Sequence, residues 1–222
     1  MIFLFDIDGT LIRSDGAGRR SFERACDEHL GVDGALGDIR LDGKTDPAIL
    51  DEVFSVHRGR AATTAERTAI LDRYLGYLET VLPTARYEVL PGVEAVLDHL
   101  DAAGAVLGLA TGNLERGAEI KLRRGDLWRR FRFGGYGSDH AERAELVRIG
   151  IQRGRALAPR PVEDREIWVI GDTPRDIAAA HAAGCLALGV ATGSYSEAEL
   201  AASGADATTD TLVSWLDRRL SA

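Results

Sequence analysis

Short runs of consecutive apolar residues recur along the chain, and each run ends in a glycine-bearing or acidic turn. The runs lie at Ile2–Phe5, after Val106, at Ile167–Ile170 and at Leu186–Val190. They are apolar at every position instead of alternating, which is typical of strands buried on both faces of a parallel sheet. Amphipathic segments separate most of them. This alternation predicts an α/β fold with a doubly wound parallel sheet.

In the second half of the chain, the predicted helices alternate with the strands. They lie at residues 92–103, 115–124, 139–157, 175–183 and 211–220, with a short aromatic segment at 131–133 and a further short helix behind a capping box of Ser196 and Glu199. Each ends near a glycine, a proline or a polar turn. The pattern is that of repeated strand–helix units.

The first half differs, because its predicted helices follow one another without strands. Residues 19–30 and 64–82 show apolar residues at helical spacing, and Asp46 is predicted to cap a helix that has Pro47 at its first position. The apolar faces of these helices can pack together. We therefore predict two domains, a core made of residues 1–14 and 85–222 and an inserted all-helical domain made of residues 15–84.

Carboxylates follow two of the apolar runs. Asp6 and Asp8 end the first run, whereas Asp172 and Asp176 follow the run at 167–170. Parallel sheets place ligands at the carboxyl ends of their strands. If the two strands are neighbours, several oxygens converge in a small volume, and hard oxygen ligands of this kind suit Mg²⁺.

A hydroxyl and two backbone amides follow the apolar run that begins at Val106. The sequence there is Thr111, Gly112 and Asn113, at the start of a predicted helix. A hydroxyl and N–H groups at such a junction form an anion site, although Thr-Gly-Asn is also ordinary turn chemistry. Its position at a third strand end favours the anion site.

The composition of the chain limits the kinds of molecule that it is expected to bind and the compartment in which it is expected to work. The chain has 222 residues, a net charge of −8 and a pI of about 5.2, which argues against nucleic acid or an anionic membrane as partners. Cys26 and Cys185 lie far apart and indicate reduced thiols, so a cytoplasmic location is expected. The apolar run at the N-terminus is too short for a signal peptide. Both a monomer and a homodimer fit these properties.

These motifs together resemble the haloacid dehalogenase-like hydrolase superfamily. Asp-Ile-Asp-Gly-Thr at 6–10 matches its first motif, Thr111 its second, and Gly-Asp-Thr with Asp172 and Asp176 its fourth. The resemblance implies a Rossmann-like core with a helical cap. It also implies that Asp6 is the nucleophile, that Asp8 is the general acid and base, and that Mg²⁺ is held by Asp6, Asp172 and the backbone carbonyl of Asp8.

The third motif of the superfamily departs here, because a lysine is usual and none lies at that place. Arg143 stands 29 positions before Asp172 (172 − 143 = 29), where the basic residue is expected. We assign the role to Arg143, as a residue that contacts phosphate together with Thr111, Gly112 and Asn113. Lys121 is the competing candidate. Asp176 is expected to orient Arg143 or a water on the metal.

The resemblance implies a Mg²⁺-dependent phosphatase acting on a small phosphorylated metabolite through an aspartyl-phosphate. A sugar-phosphate mutase would use the same residues, and a non-catalytic regulator that binds metal and phosphate is a further alternative. Lys44 lies in a loop between two predicted helices of the insertion, and it is either a residue that selects the substrate or a solvated loop lysine.

Overall fold

The computed structural model describes residues 1–220, which form eight strands and nine α-helices. The strands are β1 Ile2–Phe5, β2 Ile12–Arg13, β3 Glu88–Val89, β4 Val106–Thr111, β5 Gly134–Tyr136, β6 Ile167–Gly171, β7 Leu186–Val190 and β8 Ala207–Thr209. The helices are α1 Ala17–Leu30, α2 Asp46–Arg58, α3 Thr64–Val81, α4 Val93–Ala102, α5 Glu115–Arg124, α6 Arg143–Leu157, α7 Pro174–Ala182, α8 Glu197–Ala202 and α9 Leu212–Leu220.

Six strands form one parallel sheet in the order β5-β4-β1-β6-β7-β8. Ile2 in β1 lies opposite Val106 in β4 on one side and Ile167 in β6 on the other. One hydrophobic cluster covers each face of the sheet, which explains why its inner strands are apolar at every position. The prediction of a doubly wound parallel sheet is confirmed, and the strand that ends at Asp6 is an inner one.

Two strands of this sheet carry too weak an apolar signal to have been predicted. The strand β5 follows the aromatic segment at 131–133 and is rich in glycine, because a Cβ on Gly135 would lie only 1.8 Å from the carbonyl oxygen of Leu146 in α6. The strand β8 contains two threonines and stands at the sheet edge. The short strands β2 and β3 pair antiparallel and join the two linkers of the insertion.

Most helix ends lie within two residues of their predicted positions, but two starts were wrong. The residue that caps α2 is Thr45, whose side chain accepts a hydrogen bond from the N–H of Ala48 at 3.2 Å, and not Asp46. The helix α6 begins at Arg143 and not at residue 139. The carboxylate of Asp139 accepts a hydrogen bond from the N–H of Tyr136 at 3.0 Å, which closes a turn before the helix begins.

The three helices of the first half have a hydrophobic cluster of their own. Helix α1 packs against α3, and both contact α2 around buried side chains that include Phe22, Leu50, Phe54, Tyr74 and Leu78. The linkers β2 and β3 connect this helical layer to the sheet. The division into a core and an inserted domain stays a prediction that this packing supports.

Cys26 and Cys185 are both free thiols and both are buried. Burial is the largest cause that raises the pKa of each thiol to about 12. Among residues 1–220, no helix combines the length and the apolar character needed to cross a bilayer.

Candidate active site

One cavity of about 710 Å³ opens between the carboxyl ends of the sheet strands and the helical layer. Eight of the predicted site residues line it, namely Asp6, Asp8, Lys44, Thr111, Gly112, Asn113, Arg143 and Asp172. The ninth, Asp176, lies behind this wall and is 2% exposed. The topology therefore brings together residues that are up to 166 positions apart in the sequence (172 − 6 = 166).

Asp6 and Asp172 come together because β1 and β6 are hydrogen-bonded neighbours. One carboxylate oxygen from each, with one from Asp176, forms a buried group in which the three atoms lie within 4.8 Å of one another. Burial raises the pKa of Asp6 to about 6, although the nearby Arg143 lowers it. Burial, then the charge of Asp176 and then that of Asp6, raise the pKa of Asp172 to about 8.

Arg143 is the cation of this group. Its Nη2 lies 3.0 Å from Oδ1 of Asp6 and donates to Oδ1 of Asp176 at 2.5 Å. Burial alone would lower the pKa of the guanidinium, but the charges of Asp176 and Asp6 raise it above its usual value. The arginine is therefore a permanent positive charge beside Asp6.

Asp176 is held by the first turn of α7. Its Oδ2 accepts hydrogen bonds from the N–H and the hydroxyl of Thr173, at 3.1 and 2.7 Å, in a capping box. Its other oxygen is left for Arg143. The expectation that Asp176 orients Arg143 agrees with this geometry. Thr173 and Asp176 have the spacing of a capping box, which is a local signal of this contact in the sequence.

Three residues around Asp172 had no predicted role, although Gly9 and Thr10 lie within the first motif. The hydroxyl of Thr10 donates to Oδ1 of Asp172 at 3.2 Å. A Cβ at Gly9 or at Gly193 would lie 2.4 Å or 1.7 Å from Oδ2 of Asp172, so both positions need a bare backbone. Gly193 follows β7 in a Thr-Gly turn, which is the same strand-end signal that identified Thr111.

The side chain of Asp8 is not part of the group of three clustered carboxylates. Its Oδ2 accepts hydrogen bonds from Nζ of Lys121 at 2.6 Å and from Nδ2 of Asn113 at 2.9 Å. The two candidates for the third motif, Arg143 and Lys121, thus lie beside different aspartates. Arg143 contacts Asp6, whereas Lys121 contacts Asp8.

The hydroxyl of Thr111 is fully buried at the end of β4. Its oxygen accepts hydrogen bonds from Nδ2 of Asn113 at 2.9 Å and from the N–H of Asn113 at 3.3 Å. Both contacts use Thr111 as acceptor, which leaves its own proton available to a phosphoryl oxygen. The N–H of Asn113, predicted to bind phosphate, is directed at Thr111 in this arrangement.

A loop of the helical layer, residues 43–46, is docked on the core. The carbonyl oxygen of Gly43 accepts a hydrogen bond from Nη1 of Arg143 at 3.1 Å, and the N–H of Asp46 donates to the carbonyl oxygen of Gly112 at 2.8 Å. Oδ2 of Asp46 accepts from the N–H of Leu114 at 2.9 Å. We refer to residues 43–46 as the docking loop. It joins the helical layer to the residues predicted to bind phosphate.

The buried carboxylates fit a divalent cation. Asp6, Asp172 and Asp176 offer hard oxygen atoms, and Arg143 is the one described side chain that forms an ion pair with any of them. Their mutual repulsion is one of the causes of the raised pKa values of Asp6 and Asp172. A cation between them would remove it. The cluster of three carboxylates contains Asp176, which is not among the predicted Mg²⁺ ligands. The predicted ligands include Asp8, but only through its backbone carbonyl.

Comparison with known proteins agrees with these motifs. Residues 3–190 match the family described as haloacid dehalogenase-like hydrolase. A phosphoglycolate phosphatase of Haemophilus influenzae is 26% identical, over 85% of this chain and 84% of its own. A hydrolase from Pseudomonas syringae has a TM-score of 0.75 at 21% identity, covering 97% of this chain and 96% of its own.

A proposed beta-phosphoglucomutase from Bacteroides vulgatus also shares this fold. Its TM-score is 0.72 at 21% identity, and the likeness covers 95% of this chain and 84% of its own. At this level of identity the similarity establishes the architecture alone. The choice between hydrolysis and phosphoryl transfer to a sugar therefore depends on the site.

Proposed function

The chain belongs to the haloacid dehalogenase-like hydrolase family and is a phosphatase, and we propose that it hydrolyses a small phosphorylated metabolite. In this proposal the reaction passes through an aspartyl-phosphate on Asp6. The observation that carries the proposal is the pairing of Asp6 with Arg143 at 3.0 Å, on the wall of the cavity that Asp8 and Thr111 also line. This arrangement supports the proposal, because two carboxylates and a fixed cation line one space.

In the first half of the reaction, a carboxylate oxygen of Asp6 attacks phosphorus. A bond forms between this oxygen and phosphorus while the bond to the leaving alcohol oxygen breaks. Asp8 gives its proton to that oxygen, so the alcohol leaves neutral. Arg143 and the hydroxyl of Thr111 donate hydrogen bonds to the phosphoryl oxygens, where charge is concentrated in the transition state.

In the second half, water attacks phosphorus on the opposite side from Asp6. Asp8, now ionised, takes a proton from that water, the bond between phosphorus and Asp6 breaks, and inorganic phosphate leaves. Asp6 returns as a free carboxylate. Asp8 is therefore acid in one half and base in the other, which restores its proton after each turnover.

The cofactor in this proposal is Mg²⁺, held by Asp6, Asp172 and the backbone carbonyl of Asp8, with Asp176 close by. When bound, the cation supplies positive charge that keeps the carboxylates ionised and neutralises the phosphoryl oxygens. The chain itself supplies the oxygen ligands, the bare backbone at Gly9 and Gly193 and the hydrogen bond from Thr10 that orients Asp172.

Hydrolysis is preferred over a sugar-phosphate mutase because the Asp8 side chain is 44% exposed. A mutase must keep water away from the aspartyl-phosphate, whereas a phosphatase must admit it. In this arrangement the Asp8 side chain is accessible to water. A mutase would have to exclude that water by a further closure of the helical layer.

The substrate is proposed to contact the docking loop. The side chain of Lys44 lines the cavity and forms an ion pair with Glu52. An anionic group on the substrate would have to displace Glu52 to bind Lys44. We propose Lys44 as the residue that selects the substrate, and a cytoplasmic location in line with the two free thiols.

The test is phosphate release from a panel of small phosphate esters, with Mg²⁺ and with a chelator, by the wild type and Asp6→Asn. The proposal requires release that depends on Mg²⁺ and disappears in Asp6→Asn. Isomerised sugar phosphate without free phosphate would identify a mutase. Binding of Mg²⁺ and phosphate without turnover of any ester would identify a regulator.

A further inference from the structure

Lys121 is a buried cation that the proposed reaction does not use. It lies on α5, in the core, and is 4% exposed. Its Nζ donates to Oδ2 of Asp8 at 2.6 Å and to Oδ1 of Asn113 at 2.7 Å. A buried ammonium needs such partners, because desolvation without them is costly.

Asn113 completes a ring of contacts with these two residues. Its amide oxygen accepts from Lys121, which turns its Nδ2 toward Oδ2 of Asp8, at 2.9 Å. The same Nδ2 donates to the hydroxyl of Thr111. Lys121 thus acts on Asp8 twice, once directly and once by fixing the orientation of the Asn113 amide.

Both donors meet the same oxygen of Asp8. Lys121 and Asn113 donate to Oδ2, and no hydrogen bond from the described residues reaches Oδ1. The terminal torsion of an aspartate is broad and readily rotates. Two donors on one oxygen restrict that rotation, and the other oxygen is left for the cavity.

The lysine itself has little freedom to move. Its carbonyl oxygen accepts a hydrogen bond from the hydroxyl of Tyr87 at 3.0 Å, next to the linker strand β3. Gly18 of α1 covers the ammonium, because a Cβ at that position would lie 3.2 Å from Nζ. The carboxylate of Asp46 is buried nearby, where the charge of Lys121 acts on it.

We propose that Lys121 is a positioning residue that fixes the Asp8 carboxylate, so that Oδ1 is the atom that delivers the proton to the leaving alcohol. The inference rests on the proposed phosphatase reaction and adds to it a residue that does not touch phosphate. The proposal has one testable consequence. The decrease in kcat/KM on removing Lys121 should depend on how much the leaving group needs a proton.

Esters with different leaving groups distinguish this positioning role of Lys121 from a purely structural one. An alkyl alcohol leaves poorly unless it is protonated, whereas 4-nitrophenol leaves readily as its anion. The quantity to compare is kcat/KM, because it covers only the steps up to departure of the alcohol and omits hydrolysis of the aspartyl-phosphate. The experiment measures kcat/KM of wild type and Lys121→Met with a small alkyl phosphate and with 4-nitrophenyl phosphate.

We expect Lys121→Met to lower kcat/KM for the alkyl ester by about 100-fold, the lower range of general acid catalysis, and for 4-nitrophenyl phosphate by less than about 10-fold. Asp8→Asn should show the same selectivity, and adding Lys121→Met to it should cause little further loss. The matched control is Arg123→Met on the same helix, whose side chain is 65% exposed and pairs with Glu119. It should lose neither activity.

Asn113→Ala removes the second donor without removing a buried charge, so it tests the same role if Lys121→Met folds poorly. It should show the same preference for 4-nitrophenyl phosphate. Equal losses for both esters in Lys121→Met and in Asn113→Ala would overturn the positioning role while leaving the phosphatase intact. A wild type that hydrolyses neither ester would overturn the proposed function itself, which is a visibly different result.

Discussion

The guanidinium of Arg143 lies 3.0 Å from the carboxylate of Asp6, and both side chains are less than a tenth exposed. Arg143 begins α6 and Asp6 directly follows β1, so the contact joins two elements that are far apart in the sequence. Asp176 holds the same nitrogen from the other side. These two contacts fix the position of the guanidinium. From this position it can donate hydrogen bonds to a phosphoryl group bound to Asp6.

Arg143→Ala is expected to lower kcat/KM by roughly 10²–10³-fold, as for the loss of one fixed donor to a developing charge. Arg143→Lys should recover part of this loss, because a lysine restores the charge but not the planar arrangement of donors. Steady-state kinetics with one good ester measures both. Arg148→Ala is the control, since this arginine of α6 is half exposed and pairs with Glu145. Activity of Arg143→Ala equal to that of Arg148→Ala would contradict the assignment.

Mg²⁺ is expected to stabilise the protein through the buried carboxylates. At about 100 times its Kd, a ligand that binds only the folded state adds about 2.7 kcal/mol to the free energy of unfolding. For a chain of this size that corresponds to a rise in Tm of roughly 5–10 °C. Thermal unfolding with Mg²⁺ and with chelator measures it.

Asp172→Asn should remove this rise in Tm, whereas Asp72→Asn, an exposed position on α3, should keep it. A Tm of Asp172→Asn that still rises with Mg²⁺ would place the cation elsewhere. This readout does not depend on turnover. It therefore tests the metal site separately from the phosphatase reaction.

The metal-free protein should lose stability as the pH rises. Folding raises the pKa of Asp172 from its usual 3.8 to about 8 and that of Asp6 to about 6, so the folded state binds more protons than the unfolded state between these values. The free energy of unfolding then falls with pH. The contribution of Asp172 is complete below about pH 4 and is lost as the pH passes about 8.

Urea unfolding at several pH values between 4 and 8, in chelator, measures this slope. Above pH 6 the slope should come mainly from Asp172, so Asp172→Asn should flatten it there. Saturating Mg²⁺ should flatten it in the wild type, because the cation favours the ionised carboxylates. An unchanged slope in Asp172→Asn would contradict the assignment of the raised pKa.

Some of this site was predictable because strand ends are local signals. Asp6, Thr111 and Asp172 each follow a buried apolar run, and parallel topology then brings the three ends to one edge. The third-motif position that the superfamily resemblance implies pointed to Arg143, which lies beside Asp6, although the predicted start of its helix was wrong. For the three residues at strand ends, position in the chain was enough to predict the edge of the sheet that they reach.

The contact of Lys121 with Asp8 was not predictable in this way. It depends on how α5 is rotated against the sheet, and packing under Gly18 and beside Tyr87 sets that rotation. Lys44 was predicted as a possible substrate-selecting residue, but the contacts that hold the docking loop on the core were not predicted. Gly112 and Lys44 show no local pattern that would reveal their approach, yet a Cβ at Gly112 would lie 2.1 Å from the carbonyl oxygen of Lys44.

Lys44 should affect substrate choice without affecting the chemistry. Lys44→Ala is expected to raise KM by roughly 10- to 100-fold for esters that carry a second anionic group, as for the loss of one hydrogen bond to a charged group. Its kcat for 4-nitrophenyl phosphate should stay close to that of the wild type. Steady-state kinetics with the two kinds of ester measures this.

Glu52→Gln provides the opposite change, because it removes the carboxylate that competes for Lys44. It should lower KM for the same anionic esters. If neither variant alters the order of preference among esters, Lys44 is a loop lysine that pairs with Glu52 and does not select the substrate.

Gly43 tests whether docking of the helical layer matters for catalysis. Gly43 and Gly59 both have a φ of +66°, so alanine at either position adopts the same unfavourable left-handed conformation. At Gly43 the added Cβ would also lie 2.5 Å from the hydroxyl oxygen of Thr173, whereas at Gly59 nothing lies within 4 Å. The pair isolates the contact between the docking loop and the core.

Both variants should lose about 1 kcal/mol of stability from the backbone. Only Gly43→Ala should also lose kcat/KM, because displacing the docking loop breaks the hydrogen bond from Arg143 to the carbonyl oxygen of Gly43 and frees the guanidinium to leave Asp6. Kinetics and urea unfolding on both variants separate the two effects. Equal kcat/KM in Gly43→Ala and Gly59→Ala would mean that catalysis tolerates an undocked loop, and that the contacts of Arg143 with Asp176 and Asp6 are enough to hold the guanidinium.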